Sequence, residues 1–242
     1  MGESADVTAP RTRSILLVVG VVGALVAVNL LAHFGPGAAL ALAVPVAAIL
    51  LVLGGRLAGL GWREMGLSRT ELRAGIPYAV AAVVVVFAIV SVAVAIPATR
   101  QFFLSDRFDS ATAAAFAALV TIPLQTVLPE ELMFRGVLQG SLGRVFGVRW
   151  TLTLGALAFG MWHVTSSLGL TAGNEGLSGM LGSGTPGRIA GVLGAVAATS
   201  AAGLVFGWLR HRTTSLLAPV ALHWALNATG AVGAAVAWHL PT

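Results

Sequence analysis

Apolar residues run through this chain in long unbroken blocks, and polar residues collect in the short gaps between them. Between Arg13 and Arg56 there is no Lys, Arg, Asp or Glu. That stretch is long enough for two crossings broken at His33-Phe34-Gly35-Pro36-Gly37, since one crossing needs about 20 apolar residues. Further blocks at 76–98, 112–140, 150–168, 189–209 and 215–238 bring the expectation to about seven transmembrane helices, with eight possible. The blocks lack the period-2 alternation of barrel strands, so helices are the spanning form. The expected fold class is all-α, a polytopic membrane helix bundle. It comprises a polar N-terminal tail at 1–13 and one transmembrane domain at 14–242, with a motif-bearing core at 115–230.

Composition agrees with this pattern. Hydrophobic residues make up 57% of the 242 residues and charged ones 10%, and the mean hydropathy is +0.91. The net charge is +5, and every basic residue is an arginine. In a soluble protein that excess would suggest nucleic acid. Here the arginines lie singly between apolar blocks, and the positive-inside rule accounts for them without a nucleic-acid partner. Arg11 and Arg13 precede the first block. Arg56, Arg63, Arg69 and Arg73 follow the second, Arg144 and Arg149 the fourth, and Arg210 and Arg212 the sixth. The alternate gaps are poorer: Arg100 and Arg107 are offset by Asp106 and Asp109, and Arg188 faces Glu175. The pattern predicts a cytoplasmic N-terminus. Trp62, Trp150, Trp208 and Trp238 fall near block ends, as an interfacial belt requires. The first block is too long for a signal-peptide core. Absence of cysteine excludes disulfides, thiolate zinc sites and a cysteine nucleophile. The connection at 61–75 reads as either an amphipathic surface helix or a solvated loop. The glycine-rich stretch 168–187 reads as a flexible external loop.

Three ionisable groups break the apolar pattern. Glu130, Glu131 and Arg135 stand within one block, and a charge near the bilayer centre costs about 2.5–3.5 kcal/mol on insertion scales. Side chains four apart share a helix face. Glu131–Arg135 and Glu130–Phe134 are such pairs, and so are Phe159–His163 and His223–Asn227. At 1.5 Å per residue, Glu130 lies about 15 Å from Gly140, His163 about 20 Å from Trp150, and His223 and Asn227 about 10 and 17 Å from Leu216. All three groups therefore fall at a common depth from the arginine-bearing ends, consistent with one cavity. His33, His211 and His239 sit at block ends or beside arginines and are assigned no chemistry.

The ordered set E-E-x-x-x-R at 130–135, F-x-x-x-H at 159–163 and H-x-x-x-N at 223–227 resembles the intramembrane CAAX-protease and bacteriocin-processing family, which includes the type II CAAX prenyl endopeptidases. The resemblance covers residues 115–230; each motif is weak alone, and specificity comes from their order and placement. It implies an endopeptidase in which Glu130 is the general base for the hydrolytic water. A carboxylate withdrawn from bulk water suits that task. His163 would hold and polarise the water, directly or through a metal, while His223 and Asn227 would face the developing oxyanion. Glu131 would pair with Arg135 and fix the helix that carries Glu130, and Phe159 would pack at the cavity wall.

Several alternatives stay open on sequence alone. Glu130, His163 and His223 are residue types that Zn²⁺ accepts, so a metal-assisted mechanism competes with a metal-free one. Glu130 and the histidines could instead form the relay of a proton-coupled transporter, although no internal repeat is visible. A non-catalytic bacteriocin-immunity protein is a third reading. Gly176-Leu177-Ser178-Gly179 matches a rhomboid-type G-x-S-G, but with 30 glycines chance supplies such a match about one time in five. The expected partners are a peptide or membrane-associated protein substrate and the lipid bilayer. The arginine- and alanine-rich, lysine-free composition points to a bacterial plasma membrane.

Overall fold

The computed structural model describes residues 8–37, 39–105, 108–169, 175–182 and 184–240. Residues 1–7 of the expected tail, Asp106, Arg107 and Gly173 lie outside that description. Among the described residues there is no strand. The helices are α1 (Thr8–Phe34), α2 (Ala39–Leu57), α3 (Arg69–Ala74), α4 (Ile76–Ala95), α5 (Pro97–Arg100), α6 (Ala111–Gly143), α7 (Val148–Trp162), α8 (Glu175–Leu181), α9 (Thr185–Thr213) and α10 (Leu217–His239). α1, α4, α6, α9 and α10 are long and apolar enough to cross a membrane. Their outward faces carry Leu16, Val84, Ile89, Leu119 and Leu193, which hydrocarbon solvates without penalty.

The remaining two of the seven expected spans are shorter. α2 has 19 residues, about 28 Å of rise. α7 has 15 residues, about 22 Å, which is less than the roughly 30 Å hydrocarbon thickness. The block expected at 150–168 therefore does not stay helical. His163 is the C-cap residue of α7, with φ −88° and ψ 0°, and a 3₁₀ turn follows at Thr165–Ser167. His163 sits at a helix end rather than inside one. The stretch expected as a plain glycine-rich loop holds α8, so Gly176–Gly179 lies on a seven-residue helix.

α6 departs from regular winding. It is π-helical over Ala117–Val127 and Leu132–Leu138, with an α-helical turn at Leu128–Glu131 between them. Pro123 and Pro129 lack the N–H that an α-helical ladder requires, and a widened turn re-pairs the backbone. The 100° spacing assumed from sequence does not hold across 132–138. The segment is enclosed on nearly every side. Pro129, Glu130, Glu131, Met133, Phe134, Arg135 and Val137 are all buried.

Of the connection expected at 61–75, residues 69–74 form a short helix, and the preceding 58–68 are non-helical and packed into the bundle end. Leu60 and Met65 are fully buried and share a core with Met133, Val137 and Leu138 of α6. Burying those two side chains draws the segment into the end of the bundle. Arg144 clamps it there, donating to Glu64 Oε1, Glu64 Oε2 and the Gly59 carbonyl at 2.7 Å each. The Leu216 N–H donates to the Gly66 carbonyl at 3.0 Å. Only residues 69–74 become helical, as α3.

α7 and α9 approach through glycine. A Cβ on Gly160 would fall 1.9 Å from Ser200 Oγ and 2.8 Å from the Val196 carbonyl oxygen, and one on Gly203 would fall 3.2 Å from Ala156 Cα and Phe159 Cβ. Small residues at such crossings let backbones meet in lipid. The Gly160→Ala variant should lose about 1–3 kcal/mol of stability, the usual cost of overpacking, because a backbone oxygen cannot rotate away. A wild-type melting curve for that variant in detergent would contradict the packing.

Candidate active site

Four helices place the polar side chains that the sequence singled out. α6 supplies Glu130, Glu131 and Arg135, α7 supplies Phe159 and leads into His163, and α10 supplies His223 and Asn227. α9 contributes Phe206 and the Gly203 carbonyl. Glu130 is 6% exposed, Glu131 0%, Arg135 2% and His223 5%, so their charges and dipoles must be satisfied inside the protein.

Glu131 is the hub. Its Oε1 accepts from Arg135 Nη1 at 3.0 Å and from His223 Nδ1 at 2.9 Å. The first contact joins neighbours on one helix. The second crosses between α6 and α10. The other arm of Arg135, Nη2, donates to the Gly203 carbonyl at 3.3 Å. Its guanidinium carbon lies 4.0 Å from the centroid of Phe159 and 4.9 Å from that of Phe206. A planar, weakly hydrated guanidinium suits such a stacked and forked environment in a way that an ammonium would not. Phe159 is therefore more than a wall: its ring stands edge-on to both histidine rings, at 4.7 Å from His163 and 5.8 Å from His223. His223 also stacks on Phe206 at 5.0 Å.

Hydrogen bonding fixes the tautomers. His163 Nδ1 meets the Phe159 carbonyl at 2.8 Å, and a carbonyl only accepts, so Nδ1 carries the proton. In neutral His163, Nε2 is then left with a lone pair. His223 Nδ1 likewise donates to the Glu131 carboxylate, leaving its Nε2 available. Asn227 is half-buried one turn beyond His223, and no hydrogen bond to its amide occurs among the described residues.

Two residues at the site escaped sequence reasoning. Trp162 Nε1 donates to Glu130 Oε1 at 3.1 Å, while Glu130 Oε2 is buried without a partner. The signal was its place beside His163, but the bond depends on how α6 and α7 are rotated. Asn29 of α1 donates to the Trp162 carbonyl at 2.9 Å and accepts from Thr165 Oγ1 at 2.8 Å. It thus clamps the chain on both sides of His163. Asn29 is the only amide side chain between Arg13 and Arg56, and a buried amide always demands partners. An apolar cavity of about 360 Å³ lies between α1 and α7, lined by Leu25, Asn29, Phe134, Ala158, Met161 and Trp162. It ends against the indole that holds Glu130.

The metal candidates Glu130, His163 and His223 do not gather as a ligand set. Among the described residues no three His, Cys, Asp or Glu side chains group as one ion would require. Glu130 turns to Trp162, His223 turns to Glu131, and His163 caps its own helix.

Fold and site together define a polytopic helical membrane protein with a buried carboxylate–histidine cluster suited to acid–base chemistry. Residues 111–229, just under half of the chain, match the family described as type II CAAX prenyl endopeptidase Rce1-like. That stretch carries every residue of the three motifs, and the family supports a protease function. No curated protein and no solved structure matches the chain.

Proposed function

We propose that this chain is an intramembrane endopeptidase that hydrolyses a peptide bond with a water activated by Glu130. The observation that carries the reading is the unpartnered, buried Oε2 of Glu130, whose other oxygen is held by Trp162. One oxygen anchors the carboxylate and the other is left to accept the proton of a water. His163 Nε2 offers that water a second acceptor and so orients it. As the water oxygen bonds to the scissile carbonyl carbon, its proton passes to Glu130. The carbonyl oxygen becomes an oxyanion, stabilised by the Asn227 amide and by His223 Nε2–H. In this role His223 is doubly protonated, with its Nδ1–H held by Glu131. Collapse of the tetrahedral species breaks the C–N bond, and Glu130 returns the proton to the leaving amine. No step passes through a metal.

The substrate class is a peptide or membrane-associated protein with an apolar or lipid-modified tail. The apolar cavity beside Trp162 supports this, since it would shelter such a tail next to the base. We place the arginine-bearing end of the bundle in the cytoplasm of a bacterial cell, on the strength of the positive-inside pattern.

The test is cleavage of an apolar-tailed peptide library by protein in nanodiscs, read by mass spectrometry. Asn227→Ala should lower the turnover rate by roughly 10²–10³-fold, the usual effect of losing one preorganised donor. Substrate affinity should change little, because the donor serves charge that exists only in the transition state. Chelators should leave the wild type unaffected. Stoichiometric zinc that disappears in His223→Ala would overturn the oxyanion role given to His223.

A further inference from the structure

Among the described residues, Arg63 pairs with Glu71 at 3.0 Å, Arg135 with Glu131 at 3.0 Å and Arg144 with Glu64 at 2.7 Å. Arg210 is 7% exposed and, among the described residues, forms no ion pair. Its Nη2 donates to the carbonyls of Arg63 at 3.3 Å and Glu64 at 2.7 Å. Its Nε is buried without a partner, and its Nη1 makes no hydrogen bond to a described residue. The one carboxylate that acts on it is Glu71, which Arg63 already holds, and backbone dipoles with a shared carboxylate are poor compensation for a buried cation.

Arg210 lines a cavity of about 510 Å³ together with Gln139, Arg144, Gly147, Val148 and Thr151. The one acid in its lining, Glu64, is already held by Arg144. The N-terminus of α7 lines the same cavity through Gly147 and Val148. Gly147 is its N-cap and supplies no side-chain cap, so the first N–H groups of α7 lack intrahelical partners. An uncapped helix start carries partial positive charge and directs N–H groups outward. A guanidinium with no direct ion pair, drawn only toward a carboxylate that Arg63 already holds, and a bare helix N-terminus therefore line one cavity.

We propose that this cavity binds a phosphate group, supplied by a phospholipid headgroup. Phosphate oxygens can accept from the uncommitted guanidinium Nη1 and from backbone N–H groups at once. The cavity lies at the arginine-bearing end of the bundle. Exposed Phe146 and Val148 line it (39% and 48% exposed), and exposed Trp150 (64%) follows two residues later in α7. Aromatic and apolar side chains beside basic ones mark the depth of lipid headgroups.

The test uses the full chain in dodecyl maltoside and reads the melting temperature during titration with dioleoyl phosphatidylglycerol. Dioleoylglycerol is the phosphate-free lipid, and inorganic phosphate is the soluble ion. Phosphatidylglycerol should raise the melting temperature in proportion to occupancy, and dioleoylglycerol should not. Arg210→Gln keeps an amide near the carbonyls but removes the charge, and should weaken the lipid at least about tenfold. Gly147→Asp is an independent variant, since its Cβ would meet nothing within 4 Å. The new carboxylate should cap α7 itself, raising the melting temperature of the lipid-free protein and abolishing the lipid-dependent rise. This second variant decides the matter should Arg210→Gln fail to fold. A rise from inorganic phosphate equal to that from the lipid would overturn the headgroup as source. No rise in the wild type, an equal rise from dioleoylglycerol, or a full rise retained in Gly147→Asp would overturn the site.

Discussion

Glu130→Gln is expected to abolish peptide cleavage while leaving expression and melting temperature close to wild type. The amide keeps the size of the carboxylate and can still accept from Trp162 Nε1, so the fold loses little. It cannot take a proton from water. Loss of a general base costs typically 10²–10⁴-fold, and here the same group also returns the proton to the leaving amine, so the upper end is expected. Trp162→Phe is the informative companion. It keeps an aromatic ring against Phe134, which lies 5.6 Å away edge to face, but deletes the N–H that orients Glu130. Its activity should fall by about ten- to a hundredfold, the worth of one hydrogen bond to a charged group. Full turnover in Glu130→Gln would remove Glu130 from the mechanism.

The second large effect is on stability. Arg135→Gln should cost about 3–5 kcal/mol, the range for breaking a buried ion pair by removing one partner. Glu131 would be left with His223 alone, and the Phe159 and Phe206 rings would lose the cation between them. The double variant Glu131→Gln with Arg135→Gln should recover part of that loss, because no unpaired charge stays buried. It should not recover activity, since Glu131 also holds the His223 proton. Arg135→Lys should resemble the Gln variant more than the wild type. An ammonium reproduces neither the fork to Gly203 nor the stacking. Equal melting temperatures for the single and double variants would show that the pair contributes nothing.

Much of this architecture was legible in the sequence. Apolar block length gave the membrane-crossing helices, and the spacing of Glu131 and Arg135 put their side chains on one face. The expectation of a helix running to residue 168 did not survive, and other local readings were incomplete. The 150–168 block ends as a helix at Trp162, because a cap and a 3₁₀ turn follow. The 61–75 connection is drawn into the bundle end by Leu60 and Met65. Arg210 stands in the last turn of α9, at the arginine-bearing end, but is buried there. The metal candidates separate because each is bound to a different neighbour. At 58–68 and at Arg210 a contact across the fold overrode a local tendency.

What the sequence by itself determined is the set of properties carried by single segments: hydrophobic length, the order of the three motifs, and the i,i+4 pairing of Glu131 with Arg135. Tertiary structure alone decided that one oxygen of Glu131 serves both Arg135 and His223, 92 positions later in the chain. It also decided that Trp162 holds Glu130, and that Asn29 of the first helix fixes the chain around His163. Such contacts depend on the rotation and sliding of one helix against another. The wide turns of α6 set that rotation, and the glycines at 160 and 203 set the closeness of α7 and α9. Both are properties of how segments meet, which no window of sequence contains.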